Sequence, residues 1–162
     1  MTKQTSLTIK TNMIKDPNEP FSGLKEINTE IYKALTIANS KAAELFKNHE
    51  IDLNFADTEL MINLNKEYRG KDYLTDVLSW NFFEDGQKPL AHEVLGEIVI
   101  SKDKALIQAK ELNISLEERV IFLIIHGCLH VMGYDHIDEK EAEIMEELEE
   151  RIYENCKKSL AK

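Results

Sequence analysis

Apolar residues recur along the chain at two spacings, which together predict a mixture of strands and helices. Short apolar or alternating segments predict four strands, at Leu7–Asn12, Ile51–Phe55, Val77–Phe82 and Val94–Ile100. Apolar residues repeated on one face predict five helices, the first four over Leu24–Leu45, Leu60–Tyr68, Lys102–Leu112 and Leu116–Met132. The fifth helix follows Asp138 and is predicted to pack in the core through Ile144, Met145, Leu148 and Ile152. Asp57, Ser115 and Asp138 each precede one of these helices and are its predicted N-cap.

The helix that begins at Leu116 is apolar on nearly every side and contains six consecutive apolar residues, Val120–Ile125. A helix of this kind belongs in the middle of a core. Strands and helices do not alternate strictly along the chain. The pattern therefore predicts an α+β fold in a single domain over residues 1–162. It consists of a mixed sheet of about four strands, packed with about five helices around the central apolar helix.

Composition favours a soluble globular protein, with 43% apolar and 31% charged residues. No apolar run approaches the roughly 20 residues needed to span a bilayer. The first residues lack the apolar segment of a secretory signal, and two cysteines do not make a disulfide framework. We therefore expect a cytoplasmic protein that is not associated with a membrane.

The net charge of −10 is concentrated near the end of the chain. Nine acidic and two basic residues lie between Asp138 and Glu154, so this stretch accounts for most of the net charge. The total argues against loose electrostatic binding to nucleic acid, but it leaves room for a local basic patch elsewhere and does not exclude an RNA substrate. The acidic helix is most simply a solvated face; the alternative is that it docks on a basic partner protein.

Three of the five histidines fall within eleven residues, at His126, His130 and His136. The first two lie four residues apart on a predicted helix, so their imidazoles share a face. Gly133 is suited to end that helix in a left-handed turn that returns His136 to the same point. Three imidazole ligands around a metal ion, with the fourth coordination position left open, are typical of a catalytic zinc site. Cys128 is predicted to face the other side of the helix.

The histidine spacing is also that of the metzincin peptidases. Those enzymes carry a glutamate directly after the first histidine as general base, whereas this chain has Gly127. A peptidase is therefore disfavoured, and another hydrolytic reaction is favoured.

Other polar residues allow two interpretations each. Arg69 lies in a polar segment that is either a solvated loop or a phosphate-binding loop. Asp76 is either a turn cap or a hydrogen-bond partner of a zinc-bound histidine. Glu97 interrupts an apolar strand, either on an exposed face or at a site. His49 and His92 are predicted to be surface residues.

The segment from His126 to His136 closely resembles the signature of the bacterial YbeY family of endoribonucleases, also called rRNA maturation factors. Asn65–Ser79 and Leu95–Ser101 resemble further segments of that family, in the same order and spacing. The resemblance spans roughly residues 50 to 150. The sequence departs from the family pattern at positions that are not predicted ligands: Leu74, Trp80-Asn81 and Cys128.

This resemblance implies a zinc-dependent, single-strand-specific endoribonuclease that acts in 16S rRNA 3′-end maturation and ribosome quality control. It implies one zinc ion held by His126, His130 and His136, and an active-site arginine at Arg69. Arg69 and His126 are expected to act in catalysis, and Arg69 and Lys71 to bind substrate. The expected partners are a single-stranded 16S rRNA precursor and the ribosome or its proteins, with no small-molecule cofactor.

Two other functions stay open at this point. One is a zinc metallopeptidase-like hydrolase, and the other is a ribosome-assembly factor whose zinc is mainly structural. The general base of the ribonuclease is also open. The candidates are Asp76, Asp135, a metal-bound hydroxide and the ribose 2′-hydroxyl.

Overall fold

The computed structural model describes residues 8–11, 24–38, 40, 43–44, 47, 49–83 and 94–161. The described strands are β1 (Thr8–Thr11), β2 (Glu50–Ala56), β3 (Val77–Asn81) and β4 (Val94–Ser101). The described helices are α1 (Leu24–Ala38), α2 (Thr58–Arg69), α3 (Lys102–Leu112), α4 (Leu116–Val131) and α5 (Glu139–Leu160). The predicted α+β class is confirmed.

The strands form one mixed sheet in the order β1-β2-β4-β3. Strand β2 pairs in parallel with β1 and β4, whereas β3 pairs antiparallel with β4. Among the described strands, β3 therefore lies at an edge of the sheet. Residues of this edge strand also line the cavity that contains His126, His130 and His136.

The side chains of β4 alternate between two apolar cores, as the two-residue period of a strand requires. Ile98 and Ile100 belong to the larger core, which contains most buried residues of α4. Val99 belongs to a smaller core with Met61 of α2 and Leu78 of β3. Helix α2 and helix α4 therefore pack on opposite faces of the sheet.

Helix α4 makes contacts with β3, β4, α1, α3 and α5. It lies very close to β4, because a Cβ atom added to Gly127 would be 2.8 Å from Cγ2 of Ile98. That spacing explains the glycine that follows the first histidine: a glutamate, as in metzincins, does not fit between helix and sheet. The close packing of α4 on β4 therefore excludes the glutamate that metzincin peptidases carry at this position.

The predicted N-caps are confirmed. The side chains of Asp57, Ser115 and Asp138 accept hydrogen bonds from backbone N–H groups in the first turns of α2, α4 and α5. These donor–acceptor distances are 2.8, 3.1 and 2.8 Å. Each bond satisfies one of the N–H groups that a helix start leaves without an intrahelical partner.

Two predictions about exposure are wrong. His49 is buried, with 5% of its surface exposed, because it leads directly into β2, which lies between two other strands. Ile144 was expected to pack in the core but is 51% exposed. The buried face of α5 begins at the next residue, Met145, so the side chain of Ile144 points away from the core. His92, the predicted loops at 16–20 and 84–90 and part of 39–48 lie outside the described residues. No helix of the described ranges is both long and apolar enough to cross a bilayer.

The two cysteine thiols, Cys128 and Cys156, are free and fully buried, and Cys128 lies in the larger core. Burial raises the pKa of the Cys128 thiol far above its usual value. Burial, aided by Glu30 and Glu26, raises the pKa of Cys156 to about 12. The protonated thiols are poor nucleophiles at about pH 8.

We therefore expect iodoacetamide to leave both thiols unmodified in the native protein at about pH 8 and to alkylate both in guanidinium chloride. Intact-mass spectrometry measures the number of alkyl groups added. Alkylation of the native protein as fast as of the denatured protein would contradict the buried environment.

Candidate metal centre

Two histidines project from the last turns of α4 into an open cleft. The Nε2 atoms of His126 and His130 lie 3.1 Å apart, and both side chains are half-buried. The four-residue separation places them on one face of the helix. The structure therefore brings this pair together as the sequence predicts.

The turn after α4 brings in the third histidine. Gly133 has a φ of 99°, a left-handed conformation in which a side chain is strained, and Tyr134 N donates to Leu129 O at 3.0 Å. The His136 ring then lies 5.1 Å from the His130 ring and 6.0 Å from the His126 ring, measured between ring centroids. The three predicted ligands thus line one cavity, but of the three only His130 and His136 belong to the group of ligand atoms that lie within 4.8 Å of one another.

The geometry adds a carboxylate that the sequence analysis did not include in the ligand set. Ligand atoms of His130, Asp135 and His136 all lie within 4.8 Å of one another. One carboxylate oxygen of Asp135 accepts a hydrogen bond from His136 N at 2.8 Å. Imidazole nitrogen suits zinc, copper, iron and nickel, and a carboxylate oxygen is also a zinc ligand. The donor set therefore fits a divalent transition-metal ion.

The electrostatic environment favours neutral imidazole at this place. Burial lowers the pKa of His130, and the neighbouring His126 and His136 lower it further, while Asp135 and Glu149 oppose the shift. A neutral imidazole keeps the lone pair with which it binds a metal ion. The lowered pKa of His130 therefore favours the form that binds a metal ion.

The histidines line a cavity of about 480 Å³, here called the histidine cleft. Its other lining residues come from the end of α2, the following loop, β3 and the turn after α4: Arg69, Tyr73, Thr75, Asp76, Val77, Leu78, Ser79 and Asp135. Three consecutive residues of β3 therefore form part of the wall of this cleft. The fold brings the predicted arginine and the three histidines to one cavity.

The end of α2 determines where Arg69 lies. Gly70 adopts a left-handed conformation with a φ of 69°, so the helix ends directly after Arg69. The fully buried Asn65 donates through Nδ2 to Tyr73 O at 2.9 Å and holds the loop that follows. Lys71 is exposed and is not among the residues that line the histidine cleft; its Nζ lies 6.0 Å from the centroid of the Tyr73 ring.

The structure identifies the partners of the two ambiguous carboxylates. Asp76 accepts a hydrogen bond from Val77 N at 2.7 Å and another from Gln108 Nε2 at 3.1 Å, and it lies 3.5 Å from Arg119 Nη2. The described polar partners of its carboxylate are therefore in β3, α3 and α4, and none is a histidine. Glu97 accepts from Asn54 Nδ2 at 2.9 Å and lines a separate groove beside Trp80.

The polar partner of His126 was not predicted from the sequence. The Nδ1 atom of His126 forms a hydrogen bond with Glu149 of α5, which is buried. Phe122 stacks on the His126 ring, with a centroid separation of 6.2 Å. A signal was present, because Glu149 lies four residues after Met145 and three before Ile152 on the apolar face of α5. An acidic residue on such a face requires a partner.

Sequence comparison relates the chain to one named family. A family model described as Endoribonuclease YbeY matches residues 14–157. A protein named Endoribonuclease YbeY from Alkaliphilus oremlandii is 43% identical over 131 residues, which cover 76% of this chain and 87% of that protein. A protein of the same name from Sulfurihydrogenibium sp. is 39% identical over 131 residues, covering 80% and 84%.

A third relative with that name, from Alkaliphilus metalliredigens, is 46% identical over 106 residues, covering 64% of this chain and 68% of that protein. The solution structure of TM1509 from Thermotoga maritima matches with a TM-score of 0.61 at 20% identity. That match covers 96% of this chain and 91% of the other. At this identity the likeness supports the fold alone.

Proposed function

The chain belongs to the YbeY family of endoribonucleases, and on that premise we propose that it is a zinc-dependent endoribonuclease specific for single-stranded RNA. The observation that carries the proposal is the convergence of three imidazoles and Arg69 on one open cavity. We propose that the chain acts as one domain over residues 1–162 in the cytoplasm. Its substrate would be the precursor of the 16S rRNA 3′ end, in ribosome maturation and quality control, with the ribosome or its proteins as partners.

In this proposal, His126, His130 and His136 hold one zinc ion through imidazole nitrogens. Three protein ligands leave one position of a tetrahedral site open to substrate or water. A zinc ion held there supplies Lewis-acid chemistry for phosphodiester hydrolysis. His126 takes part in catalysis as one of these ligands.

Arg69 is proposed to bind and orient the scissile phosphate. A guanidinium group donates two parallel hydrogen bonds to phosphate oxygens, and it stabilises the negative charge that grows on them in the transition state. The left-handed turn at Gly70 supports this role, because it ends α2 at the cavity that the histidines line. Lys71 is proposed to contact the substrate chain outside the cavity, where an exposed ammonium group attracts the RNA backbone.

Asp135 is a better candidate than Asp76 for accepting a proton. Both oxygens of Asp76 accept hydrogen bonds, from Val77 N and from Gln108. Asp135 is exposed, and its carboxylate lies within 4.8 Å of the ligand atoms of His130 and His136. A base must lie within hydrogen-bond reach of the proton that it removes, and Asp135 lies beside the nitrogens of His130 and His136 that would hold the metal.

A second function, a ribosome-assembly factor with a mainly structural zinc, is favoured by one observation. Asp135 belongs with His130 and His136 to the group whose ligand atoms lie within 4.8 Å of one another. If a zinc ion held by these three residues also bound His126, four protein ligands would close the tetrahedral site. The peptidase alternative is weaker, because Gly127 has no room for the glutamate that peptidases use. The proposed ribonuclease therefore requires that Asp135 stays off the metal.

Cleavage of an end-labelled RNA tests the proposal. We expect the zinc-loaded protein to cleave the single strand, to leave the same strand intact when it is annealed to its complement, and to lose activity after chelation. Gel analysis of labelled fragments measures each rate. A zinc-containing protein that cleaves neither RNA would contradict the ribonuclease and support the assembly factor.

Arg69→Ala is expected to lower kcat/KM for single-stranded RNA by about 100-fold, the effect of removing one donor to transition-state charge. Arg69→Lys should recover only part of this loss, because an ammonium group lacks the two-point geometry. Single-turnover cleavage with equal zinc loading measures the effect. Lys66→Ala, an exposed cation one turn earlier on α2, is the matched control. Equal losses in Lys66→Ala and Arg69→Ala would show that only the general charge of this surface matters.

A further inference from the structure

Glu149 differs from every other acidic residue in the acidic stretch of α5. Nine acidic residues lie between Asp138 and Glu154, all within the described part of the chain, and eight are exposed. Glu149 is 5% exposed and lies on the face of the helix that enters the core. Its buried neighbours on that face are apolar: Met145, Leu148, Ile152 and Cys156. The solvated face predicted for this helix therefore excludes Glu149.

A buried carboxylate is stable only when a polar partner compensates for the loss of hydration. The partner is the Nδ1 atom of His126, which contacts Oε1 of Glu149. The opposite nitrogen, Nε2, faces Nε2 of His130 at 3.1 Å in the histidine cleft. Phe122 stacks on the same ring. One edge of the His126 imidazole is thus bound to α5 while the other faces the proposed metal.

We propose that Glu149 is a positioning residue that keeps the proton of His126 on Nδ1 and leaves the Nε2 lone pair available for the metal. A carboxylate that accepts a hydrogen bond from the distal nitrogen of a ligating imidazole fixes the tautomer and the ring orientation and strengthens the ligand. The proposal rests on the proposed metal centre. It also gives α5 a function, because the carboxylate of Glu149 holds the inner side of the site.

Zinc affinity tests this role. Glu149→Leu removes the acceptor and is expected to weaken zinc binding by about 10- to 100-fold, the usual effect of losing such a partner. Glu149→Gln keeps an acceptor oxygen without the charge and should show a smaller loss. The matched control is Glu150→Gln, the next residue on α5, which is exposed and should bind zinc like the parent. Competition with a chromophoric chelator measures each affinity, and thermal unfolding of the metal-free proteins identifies variants that fail to fold.

A second measurement reports on the tautomer itself, without metal or activity. Long-range ¹H–¹⁵N spectra of the metal-free parent should show His126 protonated on Nδ1 only. Glu149→Gln should keep this tautomer, whereas Glu149→Leu should give a mixture. An unchanged tautomer in Glu149→Leu, or zinc affinity within twofold of the parent, would overturn the proposal. If the parent binds zinc, these outcomes leave the metal centre intact; a parent that binds no zinc contradicts both proposals.

Discussion

His130→Ala is expected to remove both bound zinc and RNA cleavage from the protein. His130 lies between the other two histidines, with Nε2 3.1 Å from His126 Nε2 and its ring 5.1 Å from the His136 ring. Removing it leaves two imidazoles whose rings are 6.0 Å apart. Loss of a direct ligand should weaken zinc binding by more than the roughly 10- to 100-fold effect of losing an outer partner.

Metal analysis and cleavage of end-labelled single-stranded RNA measure the two effects on samples purified in parallel. Circular dichroism should confirm that the variant keeps its helices, because His130 is only half-buried and faces the cleft. Equal cleavage by parent and variant would indicate a contaminating nuclease. Full zinc content with abolished cleavage would assign His130 a role other than metal binding.

Gly96→Ala is expected to destabilise the protein by about 3 kcal/mol or more, at the upper end of the range for overpacking. Gly96 lies in β4, where it pairs with Asn81 of β3. A Cβ atom added there would be 2.1 Å from Trp80 O and 2.7 Å from Cγ1 of Val131. Because Trp80 O is a backbone atom of the neighbouring strand, β3 must move away from β4 to accept the methyl group.

Urea denaturation of parent and variant measures the change in the free energy of unfolding. The control is Gly70→Ala, where a Cβ atom meets nothing within 4 Å and only the left-handed φ of 69° is strained. That strain costs about 1–2 kcal/mol, so Gly96→Ala should be the more damaging substitution. A loss below 1 kcal/mol at Gly96 would contradict the close approach of β3 and β4. Because β3 lines the histidine cleft, Gly96→Ala should also lower activity.

The features that the sequence predicts well are those that depend on neighbours along the chain. The cap at Ser115 and the apolar faces of α4 each follow from spacings of a few residues. The convergence of the histidines follows from one helical turn and from the left-handed turn at Gly133. Local rules of helix geometry and glycine conformation are sufficient for these features.

The features that sequence analysis missed depend on residues distant in the chain. The contact between Glu149 and His126 joins residues 23 positions apart on two helices, and their relative placement follows from packing. Asp76 is paired with Gln108 and Arg119 through the way α3 and α4 meet the sheet. The burial of His49 follows from the position of β2 inside the sheet. The local pattern of α5 indicates that Glu149 needs a partner, but no local pattern identifies the partner of Glu149 or of Asp76.

The carboxylate of Asp135 separates the two proposed functions, because the same geometry allows it to be a proton acceptor or a fourth metal ligand. As a proton acceptor it stays off the zinc ion and leaves a site for substrate. As a ligand it closes a tetrahedral site and makes the zinc structural. The position of one carboxylate relative to the metal therefore decides whether the centre is open to RNA.

Diffraction from crystals of the zinc-loaded protein, recorded on both sides of the zinc absorption edge, tests the central claim most directly. We predict one anomalous peak in the histidine cleft, about 2.0–2.1 Å from a nitrogen of His126, His130 and His136, with a non-protein ligand in the fourth position. A zinc ion bound by Asp135 as a fourth protein ligand, or no zinc ion in the cleft, would contradict an open catalytic centre.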